Sequence, residues 1–110
     1  MPDRIKALLQ MLERGQESAL LRFSLGNEYF GIGEYGAAIQ HLQRAVEMDS
    51  HYSAAWKLLG RSLAMAGRND EAISAYRKGI EKAGQQGDRQ AAKEMTVFLK
   101  RLLKARDSDG

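Results

Sequence analysis

No cysteine occurs in the 110 residues, so disulfide frameworks, thiolate nucleophiles and cysteine-ligated zinc are all excluded. Nothing therefore demands an oxidising compartment, and a cytoplasmic address is the expectation. Long hydrophobic runs are also missing: no apolar stretch approaches the ~18 residues of a spanning helix. The opening Met1-Pro2-Asp3-Arg4-Ile5-Lys6 meets acid and base before any apolar run forms, so no leader or membrane segment is expected. Histidine is scarce. His41 and His51 are the only two, and no carboxylate cluster gives them metal-ligand spacing or a general-base geometry, so no metal, cofactor or catalytic set is expected. His41 is placed on an exposed helical face and His51 in a turn. The net charge of +3 is a mild basic excess without the dense Lys/Arg stripes of a nucleic-acid binder.

What is present is globular composition, with 44% hydrophobic and 28% charged residues, in a length that suits a single domain. Only the tail Asp107-Ser108-Asp109-Gly110 is expected to fray.

An internal period organises that domain. Leu25-Gly26 recurs as Leu59-Gly60, Gly33 as Gly67, Ala38-Ile39 as Ala72-Ile73 and Glu47 as Glu81, at an offset of 34 residues (60 − 26) without a gap. Small residues, Gly26 with Ala38 and Gly60 with Ala72, are assigned to the crossings of two helices within each copy. The amino-terminal segment extends the period, because Ile5, Leu8 and Leu12 align with Ile39, Leu42 and Val46. Near the other end, Asp88 can cap a last helix with Ala92, Met95, Leu99 and Leu102 on one stripe. Breakers at Gly15-Gln16, Gly33-Glu34, Asp49-Ser50, Gly67-Arg68-Asn69 and Gly84-Gln85-Gln86-Gly87 divide six helices: 3–14, 18–31, 35–48, 53–66, 69–83 and 88–106. The string Gly31-x-Gly33-x-x-Gly36 has the spacing of a dinucleotide-binding loop, but it joins two helices and reads as a turn. Glu34, Glu47, Asp70, Glu71 and Glu81 fall on surface or cap positions. Met95 and Met48 read as core, and Met65 does not.

The second copy, Trp56-x-x-Leu59-Gly60-x-x-Leu63 followed by Ala72-x-x-x-Tyr76, resembles the tetratricopeptide repeat. The first copy keeps Leu25, Gly26, Tyr29 and Ala38 but carries Arg22 at the Trp position and Leu42 at the Phe position; neither copy has the closing Pro. The resemblance implies an all-α solenoid of antiparallel helix pairs with a right-handed superhelix. Residues 1–14 would form a half-repeat helix, 19–52 and 53–86 two repeats, and 88–106 a capping helix, in one domain over 1–110.

The resemblance also implies a non-catalytic module that binds a peptide segment or C-terminus of another protein, in a scaffold or co-chaperone-like role. In such proteins, side chains from the first helix of each repeat line a concave groove. Carrying those positions over gives Leu20, Phe23, Asn27 and Phe30, then Ala54, Lys57, Arg61, Ala64 and Met65, then Lys93, Val97, Lys100 and Arg101. Phe23 and Phe30 would hold an apolar side chain of the ligand, and Lys57 with Arg61 an acidic group. The alternative is that the cations are solvated and the phenylalanines pack on the first helix. The dicarboxylate clamp of some relatives is incomplete: Asn27 matches, whereas Phe23, Leu58, Gln90 and Glu94 replace the other members.

A second reading gives Arg89, Lys93, Lys100, Arg101, Lys104 and Arg106 to nucleic acid or an anionic surface, but Asp88, Glu94 and Asp107 interrupt the field and no aromatic interleaving offers base stacking. Met11 and Leu9, outside the Ile5-Leu8-Leu12 row, make the first helix a candidate face for a weak homodimer.

Overall fold

The computed structural model describes residues 2–109, and contains helices α1 (Asp3–Glu13), α2 (Ala19–Gly31), α3 (Tyr35–Met48), α4 (Ser53–Met65), α5 (Asn69–Gln86) and α6 (Arg89–Asp109). Met1 and Gly110, included in the sequence-based domain and tail, lie outside the described residues. The turn within each repeat is made by a glycine at φ +78°, Gly33 between α2 and α3 and Gly67 between α4 and α5. A side chain is strained in that left-handed region, which accounts for the recurrence of glycine at the offset of 34. The string from Gly31 to Gly36 is this turn.

Consecutive helices pack antiparallel, and two layers result, in a body about 45 × 31 × 18 Å. α2 touches α4, and α4 touches α6, whereas α3 and α5 do not meet. The layer whose helices are in contact must lie on the inside of the curve, so α2, α4 and α6 line the concave side.

Each crossing is set by a glycine. A Cβ at residue 26 would lie 2.5 Å from Leu42 Cγ, and one at residue 60 would lie 2.4 Å from Tyr76 Cε1. Ala38 and Ala72 are fully buried beside these crossings, but the groups seated on the glycines are the larger Leu42 and Tyr76, four residues further on. Gly79 makes a third close approach, where a Cβ would meet Met95 Sδ at 2.6 Å and Trp56 Cβ at 2.7 Å. The main core runs from Ile39 and Leu42 through Trp56, Leu59 and Tyr76 to Met95. A smaller cluster of Ile5, Leu21 and Leu25 fastens α1, and Leu9 packs on it beside Leu8 and Leu12. The row of α1 is thus broader than its spacing suggested, and Leu9 is unavailable as an outer-face residue.

The repeats close differently. In the second, the Trp56 indole N–H donates to the Ser50 carbonyl at 2.8 Å, tying α4 to the turn before it. At the equivalent position Arg22 pairs with Glu17, which also accepts from Arg44 Nη2 at 3.2 Å. Arg22 Nη1 then donates to His41 Nδ1 at 3.0 Å, and the imidazole stacks on Tyr29 with centroids 5.5 Å apart. His41 is therefore half-buried, not on an exposed face: the arginine that replaces tryptophan needs an acceptor, and the imidazole supplies it.

Other departures have local causes. α5 continues through Gly84, Gln85 and Gln86, because buried Ala83 anchors its last turn and Gly87, at φ +76°, accomplishes the stop. The Asp88 N–H closes that end on the Ala83 carbonyl at 2.9 Å, and Asp88 Oδ1 accepts from the Ala91 N–H at 3.1 Å as the sequence indicated. Residues 107–109 are helical instead of frayed; Arg106 in the last turn favours the helix dipole and pairs with Asp70 at 3.6 Å. Met48 is 38% exposed and does not belong to the core.

Two measurements test this account. Gly60→Ala gains about 1 kcal/mol of helix propensity but overpacks the Tyr76 seat by roughly 1–3 kcal/mol, so denaturant titration is expected to show a net loss of stability. Gly84→Ala, with open space around it, should raise stability by up to about 1 kcal/mol. In acid, burial and then the Arg22 charge hold His41 below its ordinary 6.5. Above pH 6.5 both folded and unfolded chains carry neutral His41. As pH falls below 6.5 the unfolded chain binds its proton first, so stability is lost down to the lowered native value. His41→Gln should flatten that window while leaving the further loss at lower pH, where Glu17, held down by Arg44 and Arg22, takes up its proton.

Candidate functional site

The residues proposed from sequence all lie on α2, α4 and α6, the helices of the concave layer. Their environments differ. Leu20 is 64% exposed, Met65 58% and Val97 43%, while Asn27, Ala54, Arg61, Lys93, Lys100 and Arg101 are also exposed. Phe23 and Phe30 are half-buried and pack on the main core, not on α1: Phe23 meets Tyr52 at 5.0 Å between centroids, and Phe30 meets Tyr35 at 5.4 Å.

The two cations of α4 have different partners. Lys57 Nζ is 3.4 Å from Glu94 Oε1, so this lysine bridges α4 to α6. Arg61 stands with its guanidinium carbon 4.9 Å from the centre of the Phe30 ring, reaching back to α2. Arg61 thus lies directly on Phe30, and the basic and apolar residues of the row are in contact. A cation over an aromatic face is held by the ring quadrupole while its N–H edges stay available. Further along, Arg101 takes a similar place 5.8 Å from the Phe98 centroid.

Between α4 and α6 is a pocket of ≈ 240 Å³ lined by Arg61, Ala64, Met65, Tyr76, Phe98, Arg101 and Leu102. Tyr76 comes from α5 and stacks against Phe98 at 5.8 Å, and burial pushes its phenol up to about 12, against the opposing effect of Arg61. Sequence reasoning placed Ala64, Met65, Arg61 and Arg101 in the row but missed Tyr76, Phe98 and Leu102 as pocket walls. The spacing of Phe98, Arg101 and Leu102 on one helical face was the available signal for two of them. Tyr76 belongs to the other layer, where positions in the first helix of a repeat give no guide.

The clamp positions are equally plain: Leu58 is buried, Gln90 is exposed, and Glu94 is engaged by Lys57. Among the acidic residues given to surface or cap positions, Glu47, Glu71 and Asp70 form ion pairs with Arg44, Arg68 and Arg106. Among the described residues no helix is long and apolar enough to cross a membrane.

This arrangement of helices, crossings and inner row has relatives. The tetratricopeptide repeat family pattern matches residues 23–88. A TPR repeat-containing protein of Pseudomonas aeruginosa is 49% identical over 102 residues, spanning 93% of this chain and 97% of that protein. The solution structure of a Bordetella parapertussis protein superposes with a TM-score of 0.82 at 39% identity, over 96% of this chain and 91% of its own. A small glutamine-rich tetratricopeptide repeat-containing protein of Mycosarcoma maydis is 30% identical over 77 residues, which are 70% of this chain and 22% of that longer protein. The chain belongs to the tetratricopeptide repeat family, whose members are in general modules for protein–protein interaction.

The bridge between Lys57 and Glu94 is part-exposed, and a double-mutant cycle with Lys57→Ala and Glu94→Ala should give a coupling of about 0.2–1 kcal/mol that shrinks as salt is raised.

Proposed function

We propose that the chain holds a peptide segment of another protein on the concave face of α2, α4 and α6, without chemical turnover. The supporting observation is the distribution of exposed large apolar side chains. Three of the six among the described residues, Leu20, Met65 and Val97, including the two most exposed, lie on the inner row, interleaved there with Arg61, Lys93 and Arg101. Apolar side chains open to solvent beside cations offer a peptide both hydrophobic contact and charge recognition. Leu20, Phe23, Asn27, Phe30, Lys57, Arg61, Met65 and Lys93 form this surface, and its partner would carry an acidic group and an apolar anchor. Division into a half-repeat over 1–14, two repeats over 19–52 and 53–86, and a cap over 88–106 suits the role, since the two repeats and the cap each contribute one helix to the same face. A scaffold or co-chaperone-like function in the cytoplasm is consistent with such a surface.

Affinity capture of partners with the wild-type chain beside Arg61→Glu and Phe23→Ala tests the reading. Charge reversal should weaken retention at low salt by about tenfold or more, and the difference should narrow at high salt. Phe23→Ala should weaken it with little salt dependence. Retention unchanged in both folded variants would move the interaction to the opposite face, where a cleft of ≈ 560 Å³ opens beside Gln43, Trp56, Asp70, Ser74 and Lys78.

A further inference from the structure

The chain has five methionines, of which Met1 lies outside the described residues. Among the others Met95 is fully buried, Met11 and Met48 are 39% and 38% exposed, and Met65 is 58% exposed. Met65 is the last residue of α4 and forms part of the wall of the ≈ 240 Å³ pocket, together with Phe98 and Leu102 from α6. A thioether is apolar and polarizable, and among the side chains of the inner row it is the one that a peroxide oxidises. Exposure therefore puts the most accessible sulfur of the described chain on the surface proposed for binding.

The same pocket is lined by Arg61 and Arg101. Arg4, Arg22, Arg44, Arg68 and Arg106 each have a carboxylate within ion-pair distance, whereas among the described residues neither Arg61 nor Arg101 has one. Each is held instead over an aromatic face, Phe30 or Phe98, which attracts the cation and leaves its N–H edges open. Arg61 stands four residues before Met65, so the two side chains share one face of α4. A thioether is a weak acceptor and gives those N–H groups little to bond. A sulfoxide oxygen, polar and carrying partial negative charge, is a much better one.

We propose that Met65 is a site of reversible oxidation by hydrogen peroxide, and that its sulfoxide oxygen, held by the Arg61 guanidinium, closes the pocket to a ligand. In the forward step the sulfur lone pair attacks one peroxide oxygen, the S–O bond forms and the O–O bond breaks. The departing hydroxide takes up the proton of the attacked oxygen and leaves as water, so sulfur loses the two electrons that peroxide gains. A methionine sulfoxide reductase supplied with a dithiol reverses the change, releasing the oxygen as water and converting the dithiol to a disulfide. Two losses coincide in the oxidised state: the wall becomes polar, and N–H edges that an acidic ligand would use are occupied from within. The assignment rests on the concave-face reading above and adds a regulation of that face.

The test uses the purified full chain, graded hydrogen peroxide and peptide mapping by mass spectrometry. Met65 should gain an oxygen ahead of Met11 and Met48, with Met95 unmodified and the helices intact by circular dichroism. The side-chain N–H resonances of Arg61 should shift on oxidation and return after treatment with methionine sulfoxide reductases A and B and dithiothreitol, whereas those of Arg68, bonded to Glu71, should stay in place. Binding is read, after peroxide is removed, with a pool of synthetic octapeptides in which a Glu adjoins a Leu or Phe. Oxidised wild-type chain should bind the pool about tenfold more weakly than reduced, the scale of one lost charge-assisted contact. Met65→Gln should bind as weakly without peroxide, and Met65→Leu, whatever its own affinity, should bind alike before and after treatment. Oxidation of Met11 and Met48 ahead of Met65, or Arg61 resonances unmoved in the Met65 sulfoxide, would overturn the site. Equal binding by oxidised and reduced chains would overturn the switch and leave the concave face standing. No binding of the pool to the folded, reduced chain would overturn the concave-face reading and the switch with it.

Discussion

The close approach of α4 and α5 at Gly60, where the Tyr76 ring occupies the volume of a missing side chain, is the contact on which the rest of the architecture depends. The same geometry recurs with Leu42 on Gly26, and a third version places Met95 on Gly79. Interhelical spacing is set by the side chains at the crossing, so removing a Cβ lets a large neighbour lie flat against backbone. A glycine inside a helix costs about 1 kcal/mol, and the buried contacts of Leu42, Tyr76 and Met95 offset it. Once these pairs are fixed, the inner helices come into contact and the outer ones diverge. Only then can Arg61 reach Phe30 on α2 while Lys57 reaches Glu94 on α6.

The two ends of the solenoid are held by different physics. Around Trp56 the attachment is apolar, continuous with a core that extends through Tyr76 to Met95, and the indole N–H is satisfied by a backbone carbonyl. Around Arg22 it is largely ionic: Glu17 serves both Arg22 and Arg44, and His41 accepts from Arg22 as a neutral ring. Burial of apolar area is insensitive to salt, whereas partly exposed ion pairs are screened by it. With α1 held by the small cluster of Ile5, Leu21 and Leu25 and by Arg4 to Glu28, the amino-terminal end is the place for the lowest-energy local opening.

Legibility in the sequence followed the range of the interaction. The offset of 34, the turns at Gly33 and Gly67, the Asp88 cap and buried Met95 are local or periodic features, and each is visible in residue order. The helix at Gly84 and the burial of His41 were hidden because each is decided by tertiary packing, of Ala83 into the core or of His41 against Arg22 on the preceding helix. Family resemblance supplied the inner row as a set of positions, which fall on α2, α4 and α6, but not its pairing. Lys57 meets Glu94 across 37 residues, a register shifted by the extra length of α5 before α6, and no offset of 34 announces it. For Tyr76 the obstacle was its double duty: it packs on Gly60 and also lines the pocket, and a core assignment conceals the second role.

The mild excess of positive charge acquires meaning only after the pairs are removed. Lys57, Arg22, Arg44, Arg68 and Arg106 are each balanced by a nearby carboxylate, so their fields are short-ranged. Arg61 and Arg101 are balanced by the faces of phenylalanine rings, which attract a cation without neutralising it. Stacking also restricts the guanidinium to a plane, removing part of the rotamer freedom that a free arginine loses on binding. On the proposed reading, an arriving carboxylate would exchange water for charge-assisted hydrogen bonds with little ordering left to supply, and adjoining apolar surface would add contact that salt does not weaken. A lysine at either position would keep the charge but lose the plane, so this surface depends on arginine chemistry and not on net charge alone.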